Sequence, residues 1–164
     1  MTLVERYDAI LSRLAEEVAL LYGPRLVACA VFGSVGRGTQ RQDSDIDLLI
    51  VARDLPRGRF ARVEEFLAVE ARLEKDLRPV DAGSAPIELS PVFKTPEESE
   101  AGSPLFLDMV EDAKILLDAD GFLARRLERL RARLRELGSR RIVIGNGWYW
   151  ELKPDLRPGE IFSL

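Results

Sequence analysis

Histidine is missing from all 164 residues of this chain. That absence removes Ser-His-Asp and Cys-His catalysis, His-ligated zinc and the HD-type phosphohydrolase site. Any chemistry must come from carboxylates, hydroxyls, Arg, Lys and a hard metal. Cysteine is nearly absent as well: Cys29 stands alone, so no disulfide forms within the chain. Its place in the apolar run 26–32 reads as a buried small hydrophobe. No apolar run is long enough to cross a membrane, and no secretory leader pattern is visible, so a cytoplasmic protein is expected. An excess of positive charge is also lacking. With 24 Lys+Arg against 28 Asp+Glu the net charge is −4, which argues against nucleic-acid binding by bulk electrostatics.

What is present suits a folded domain. The hydrophobic fraction of 46% supplies a core, and the charged fraction of 32% is mixed in sign. Leu3, Tyr7, Ile10, Leu14, Val18 and Leu21 recur at helical spacing, and Gly23-Pro24 stops that helix. Two short, continuous apolar runs, 26–32 and 46–51, read as buried strands, with a Gly-rich loop over 33–44 that opens into a short helix. Phe60, Val63, Leu67, Leu73 and Leu77 mark a second helix, 80–85 a loop, and 87–93 a third strand, which Pro91 assigns to an edge. Thr95-Pro96-Glu97-Glu98 has the form of a capping box with Pro at the first helical position. Ser103-Pro104 repeats the signal before a helix carrying Leu105, Phe106, Met109, Val110, Ala113 and Leu117. Asp120 is the expected cap of a last helix closed by Gly138. Beyond it, 141–144 and 148–152 read as two short strands around Gly145-Asn146-Gly147. The pattern is that of an α/β or α+β domain with a small sheet.

The chemistry is concentrated in Val31-Phe-Gly-Ser-Val-Gly-Arg-Gly-Thr-Gln-Arg-Gln-Asp-Ser-Asp-Ile-Asp47. Asp45 and Asp47 are two apart at the head of a strand, so their side chains share a face. Adjacent carboxylates raise each other's pKa unless a cation sits between them. Oxygen ligands suit Mg²⁺ or Mn²⁺, which take further ligands from water and substrate phosphates. Gly33 allows close backbone approach, and Ser34 offers a hydroxyl beside backbone N–H groups. Arg37 reads equally as a phosphate clamp or a solvated loop residue, and Asp43 and Ser44 as turn caps. One loop for phosphate and the next strand for metal outline a two-metal phosphoryl or nucleotidyl transfer site.

Gly33-Ser34 followed by Asp45-x-Asp47 resembles the signature of the DNA polymerase beta superfamily of nucleotidyltransferases, the minimal prokaryotic ones included. The segments 103–113 and 148–160 also look like the C-terminal part of small nucleotidyltransferase-domain proteins. The resemblance implies an α/β (α+β), polymerase-beta-like fold, a small mixed sheet flanked by helices, with a core over 1–100 and a helical C-terminal extension over 101–164 packed on it. It implies a third metal carboxylate on a later strand, Glu88, with Asp81 the competing position. Glu there departs from the more usual Asp. It further implies transfer of a nucleoside monophosphate from an NTP, ATP being the expected one, to an acceptor hydroxyl with release of pyrophosphate. Asp45, Asp47 and Glu88 would hold metal, while Gly33, Ser34 and Arg37 would bind phosphates.

The acceptor is not legible in the sequence. One alternative is the antitoxin type of the minimal family, which modifies a separate HEPN-domain toxin. The Arg…His motif of such toxins cannot lie in this chain. Another is an inert nucleotide-binding module. Trp148, Tyr149 and Trp150 read as core or interface before base stackers. The arginines of the last helix, with Glu128 and Glu136 at pairing distance, read as a solvated face. The apolar C-terminal segment would suit a homodimer contact.

Overall fold

In the computed structural model, residues 1–81 and 83–164 are described. Helix α1 (Leu3–Tyr22) opens on a capping box that the sequence reading passed over. Thr2 Oγ1 accepts from Glu5 N at 3.2 Å, and Glu5 Oε2 accepts from Thr2 N at 2.6 Å, satisfying two orphan donors reciprocally. Gly23 ends the helix at φ 52, a left-handed position that glycine adopts without strain. Strand β1 (Leu26–Phe32) follows, then one helical turn, α2 (Gly33–Arg37), and strand β2 (Ile46–Ala52). Helix α3 (Arg59–Leu77) leads to strand β3 (Leu89–Lys94). The loop expected over 80–85 contains Ala82, which lies outside the described residues.

Helix α4 (Pro96–Glu100) carries the expected capping box, with Thr95 and Glu98 as its two partners. Helix α5 (Leu105–Asp112) is shorter than its apolar spacing predicts. Leu117, expected on that helix, belongs instead to strand β4 (Lys114–Asp118), which pairs antiparallel with β1 through Cys29↔Leu117 and Ala30↔Ile115. The reason is tertiary. Ile115, Leu116 and Leu117 satisfy helical and extended patterns equally, and the free edge of β1 offers them a hydrogen-bonded partner. Helix α6 (Phe122–Glu136) is capped by Asp118 rather than Asp120. The Asp118 carboxylate accepts from Leu123 N and Ala124 N, both at 2.9 Å, while Asp120 sits in the preceding 3₁₀ turn at φ 56. Strands β5 (Arg140–Ile144) and β6 (Gly147–Glu151) form the expected hairpin.

The main sheet has the order β3-β2-β1-β4. β1 is antiparallel to β2 and β4, and β2 is parallel to β3. Pro91 therefore lies on an edge, where its missing N–H costs nothing. Both faces are covered, which is why β1 and β2 read as unbroken apolar runs. On one face Tyr7, Ile10, Leu14 and Val18 of α1 and Phe66, Val69 and Leu73 of α3 pack on Cys29, Val31, Leu48 and Ile50. On the other, Phe106, Met109, Leu123, Leu127 and Leu130 pack on Ala28, Ala30, Leu49 and Val51. Each such large side chain contributes about 1.5–3 kcal/mol over its exposed state. Strand alternation then puts Asp47, two residues before Leu49, on the α5–α6 face at the open end of β2. Among the described residues no helix is long and apolar enough to cross a membrane.

Candidate active site

The antiparallel pairing of β1 and β2 sets Phe32 opposite Asp47, so the residue that follows Phe32 lands against that carboxylate. Gly33 occupies this place at φ 66, and a Cβ there would overlap Asp47 Oδ2 and lie 3.3 Å from Asp47 Cγ. A larger residue would have to hold a left-handed backbone and push the Asp47 carboxylate aside. α2 starts here with no side-chain cap on its first-turn N–H groups. The turn closes through Thr39 N, which donates to the Ser34 carbonyl at 2.9 Å. Gly33 thus lies directly against the Asp47 carboxylate, with Ser34 next in the turn.

Asp47 is the member of the acid pair whose surroundings disfavour its charged form. Burial pushes the Asp47 carboxyl above its ordinary value, the neighbouring Asp45 adds to that, and Arg37 partly opposes it. Asp45 is exposed and Asp47 half-buried. The segment leading to them is tied down by Tyr7, a residue the sequence assigned only to the helix core. Its hydroxyl donates to the Ser44 carbonyl at 2.7 Å and lies 3.0 Å from that of Arg41. Ser44 Oγ in turn accepts from Arg41 N at 2.8 Å, the turn-capping role expected of it.

Glu88 lies one residue ahead of β3, with its carbonyl accepting from Ile46 N at 2.9 Å. In the parallel register Asp47 is the partner of Ser90, so alternation assigns Glu88 to the side of Asp45 and Asp47. Its side chain is exposed. Among the described residues no three Asp, Glu, His or Cys side chains gather into one metal-holding cluster; Asp45 and Asp47 come together as a pair. Asp81, the competing position, is exposed and accepts from Gln42 Nε2 at 2.9 Å.

Arg37 is held more firmly than a solvated loop residue. Its Nη1 meets Asp112 Oδ2 at 3.2 Å, and Arg141 Nη1 meets the same oxygen at 3.1 Å. Both guanidinium carbons lie over the Trp148 ring, at 4.7 Å for Arg37 and 5.0 Å for Arg141. α2 reaches Asp112 because Gly36 has no side chain: a Cβ there would overlap the Asp112 carbonyl oxygen. Asp112, Arg141 and Trp148 therefore border the site. No sequence spacing links them to Arg37; their only signals were one acid at the end of an amphipathic helix and an aromatic-rich strand. A separate concavity of about 500 Å³, lined by Gly58, Arg62, Pro91, Phe93 and Glu98, is walled by the Arg62–Glu98 ion pair and contains no residue of the acid pair.

A glycine turn set against two neighbouring carboxylates at the end of a mixed sheet narrows the class. The sequence profile of the nucleotidyltransferase domain matches residues 11–117, and this chain belongs to that family. It is a nucleotidyltransferase. Among its relatives, a Methanocaldococcus jannaschii protein provisionally assigned as a protein adenylyltransferase is 29% identical over 124 residues, covering 74% of this chain and 79% of that protein. The protein adenylyltransferase MntA of Thermococcus cleftensis is 33% identical over 78 residues, 47% of this chain and 77% of that one. A toxin–antitoxin crystal structure with AMP-PNP superposes with a TM-score of 0.49 at 20% identity, covering 77% of this chain and 92% of that one.

Proposed function

We propose that this protein transfers a nucleoside monophosphate, AMP from ATP in the first instance, to a hydroxyl of a protein acceptor, at a site built from Gly33, Ser34, Arg37, Asp45, Asp47 and Glu88. One observation carries the reading: Gly33, at the head of the phosphate loop, abuts the Asp47 carboxylate beside Asp45. The protein acceptor is supported by the protein adenylyltransferase assignments of the two relatives.

In this reading the acceptor oxygen forms a bond to the α-phosphorus, the bond to the bridging oxygen of pyrophosphate breaks, and the acceptor proton passes to a carboxylate, Glu88 being suited by its exposure. Asp45 and Asp47 fit a hard divalent cation, Mg²⁺ or Mn²⁺. Their donor set is oxygen only, and their repulsion is what a cation would relieve. Such an ion supplies charge neutralisation at the phosphates when bound. Gly33 gives the triphosphate room beside the acids, Ser34 offers its hydroxyl and backbone N–H, and Arg37 donates to phosphate oxygens.

The test is transfer of label from α-³²P-ATP, with the other NTPs in parallel. Wild type and Asp47→Asn are each incubated with Mg²⁺ or Mn²⁺ and a host lysate divided into protein, RNA and small-molecule fractions. Label in the protein fraction is expected with wild type. Asp47→Asn loses several kcal/mol of charge stabilisation, about a thousandfold in rate. Label in the RNA or small-molecule fraction would overturn the acceptor class. Equal labelling by both proteins would overturn the site. A labelled HEPN-domain protein would identify the antitoxin type.

A further inference from the structure

The C-terminal hairpin lies outside the residues that match the nucleotidyltransferase profile, which end at 117. It nevertheless reaches the catalytic loop. The register Arg141↔Trp150 and Val143↔Trp148 puts Arg141, Trp148 and Trp150 on one face. Trp150 and Leu152 pack on the α5–α6 core, and Ser139 Oγ donates to the Leu152 carbonyl, so the base of the hairpin is fixed. Arg141 and Trp148 are thereby presented to Asp112 and Arg37.

The arrangement duplicates every interaction that Arg37 makes there. Asp112 is 8% exposed, and one guanidinium is enough to balance its charge. It has two, on the same Oδ2. The Trp148 ring needs one cation over it and also has two. If Arg37 were the sole partner, its departure would strand a buried carboxylate, which is strongly unfavourable, and Arg37 would be locked in place. With Arg141 present, Arg37 can leave while Asp112 keeps an ion pair and Trp148 keeps a cation. Arg37 already bears on the charge of Asp47, and its side chain is 27% exposed, so it is not sealed in against Asp112.

We propose that Arg37 alternates between two docks, Asp112 at rest and the phosphates of the bound nucleotide, and that Arg141 and Trp148 keep the first dock intact when Arg37 leaves it. Asp112 and Arg141 are then positioning residues with opposite effects: Asp112 holds Arg37 back, and Arg141 releases it. This rests on the reading of Arg37 as a phosphate clamp.

The opposite signs make the test selective. Binding of Mg-ATP and of Mg-tripolyphosphate is measured by calorimetry for wild type, Asp112→Asn, Arg141→Gln, Arg141→Lys and the double variant D112N/R141Q, each verified as folded by its thermal melt. Arg141→Gln weakens both probes by about tenfold, the scale of one charge-assisted hydrogen bond. Asp112→Asn tightens both by several-fold, the double variant follows Asp112→Asn, and Arg141→Lys restores most of the loss. The chain has two tryptophans, so in a Trp150→Phe background the emission reports Trp148 alone. It shifts on adding Mg-tripolyphosphate, because Arg37 leaves the ring. A merely structural cluster would weaken binding in both single variants, additively, and would overturn the proposal. So would a Trp148 response to ATP without one to tripolyphosphate, which would make the ring a base platform. Wild-type binding that is lost in Asp47→Asn but indifferent to the hairpin variants would overturn this inference alone. Wild type that binds neither probe would overturn the site reading with it.

Discussion

Replacing Gly36 by alanine sets two effects against each other. Gly36 lies inside the α2 turn, where helix propensity alone favours alanine by about 1 kcal/mol. The added Cβ, however, would overlap the Asp112 carbonyl oxygen and lie 3.1 Å from that of Val31. Ordinary carbon–oxygen contacts begin near about 3.3 Å, so α2 and the end of α5 must part by about 1 Å. The obstacle is backbone and cannot rotate aside. Overpacking of this kind costs about 1–3 kcal/mol, and at its upper end the net destabilisation is about 2 kcal/mol. For a chain of this size that lowers the melting temperature by about 4–8 °C. The same displacement carries Arg37 with it, and a misplacement of about 1 Å can cost about a hundredfold in rate. Gly38→Ala is the control. It has φ 72 but open space around the new Cβ, so it bears only left-handed strain, about 1–2 kcal/mol. Thermal melts and the labelled-ATP assay measure both. A Gly36→Ala protein that melts at or above wild type would refute the packing argument, because propensity would then have won.

Two more outcomes follow from the burial of titratable groups. Asp47 is raised in the folded state, so the native protein holds its proton where the unfolded chain has lost it. Stability from this group is therefore highest in acid and falls as pH rises through its raised value. In EDTA, Asp47→Asn melts above wild type at pH 7–8, the gap closes below the ordinary aspartate range, and Mg²⁺ raises the melting temperature of wild type only; equal melting curves across pH would remove Asp47 from the strained pair. Cys29 is fully buried, which pushes its thiol up to about 12, so a thiol reagent labels it only on unfolding, and rapid labelling of native protein at neutral pH would contradict that burial.

What was legible in the sequence was local. β1 is bounded by Gly23-Pro24 and Gly33, and its continuous apolar run admits little else. The capping box at Thr95 and the edge placement of Pro91 follow from short-range rules in the same way. The arginine-rich face of α6 is neutralised as its spacing suggests, Arg131 pairing with Glu128 and Arg133 with Glu136. Apart from the local Thr2–Glu5 capping box, the departures turned on tertiary pairing. β4 is a strand because β1 has an edge to offer, and Asp118 rather than Asp120 caps α6 because β4 ends there. The site divides likewise: Gly33 and Asp47 are fourteen positions apart (47 − 33), and their meeting was implicit in two strands and a turn. Arg37 and Asp112 are 75 residues apart, and only the folded chain brings them together.

The antiparallel pairing of β1 with β2 also governs the order in which the molecule assembles. Chains close short loops at less entropic cost than long ones, and contacts of low sequence separation speed folding. The central pair of the four-stranded sheet is joined by the very segment that carries Gly33, Ser34, Asp45 and Asp47. If this pair nucleates folding, β3 and β4 add at its flanks, the two like charges are held together from the earliest stage, and their repulsion would slow folding rather than hasten unfolding. Any divalent cation that this pair proves to bind would then relieve the repulsion while the chain folds, acting as a folding aid as well as in transfer.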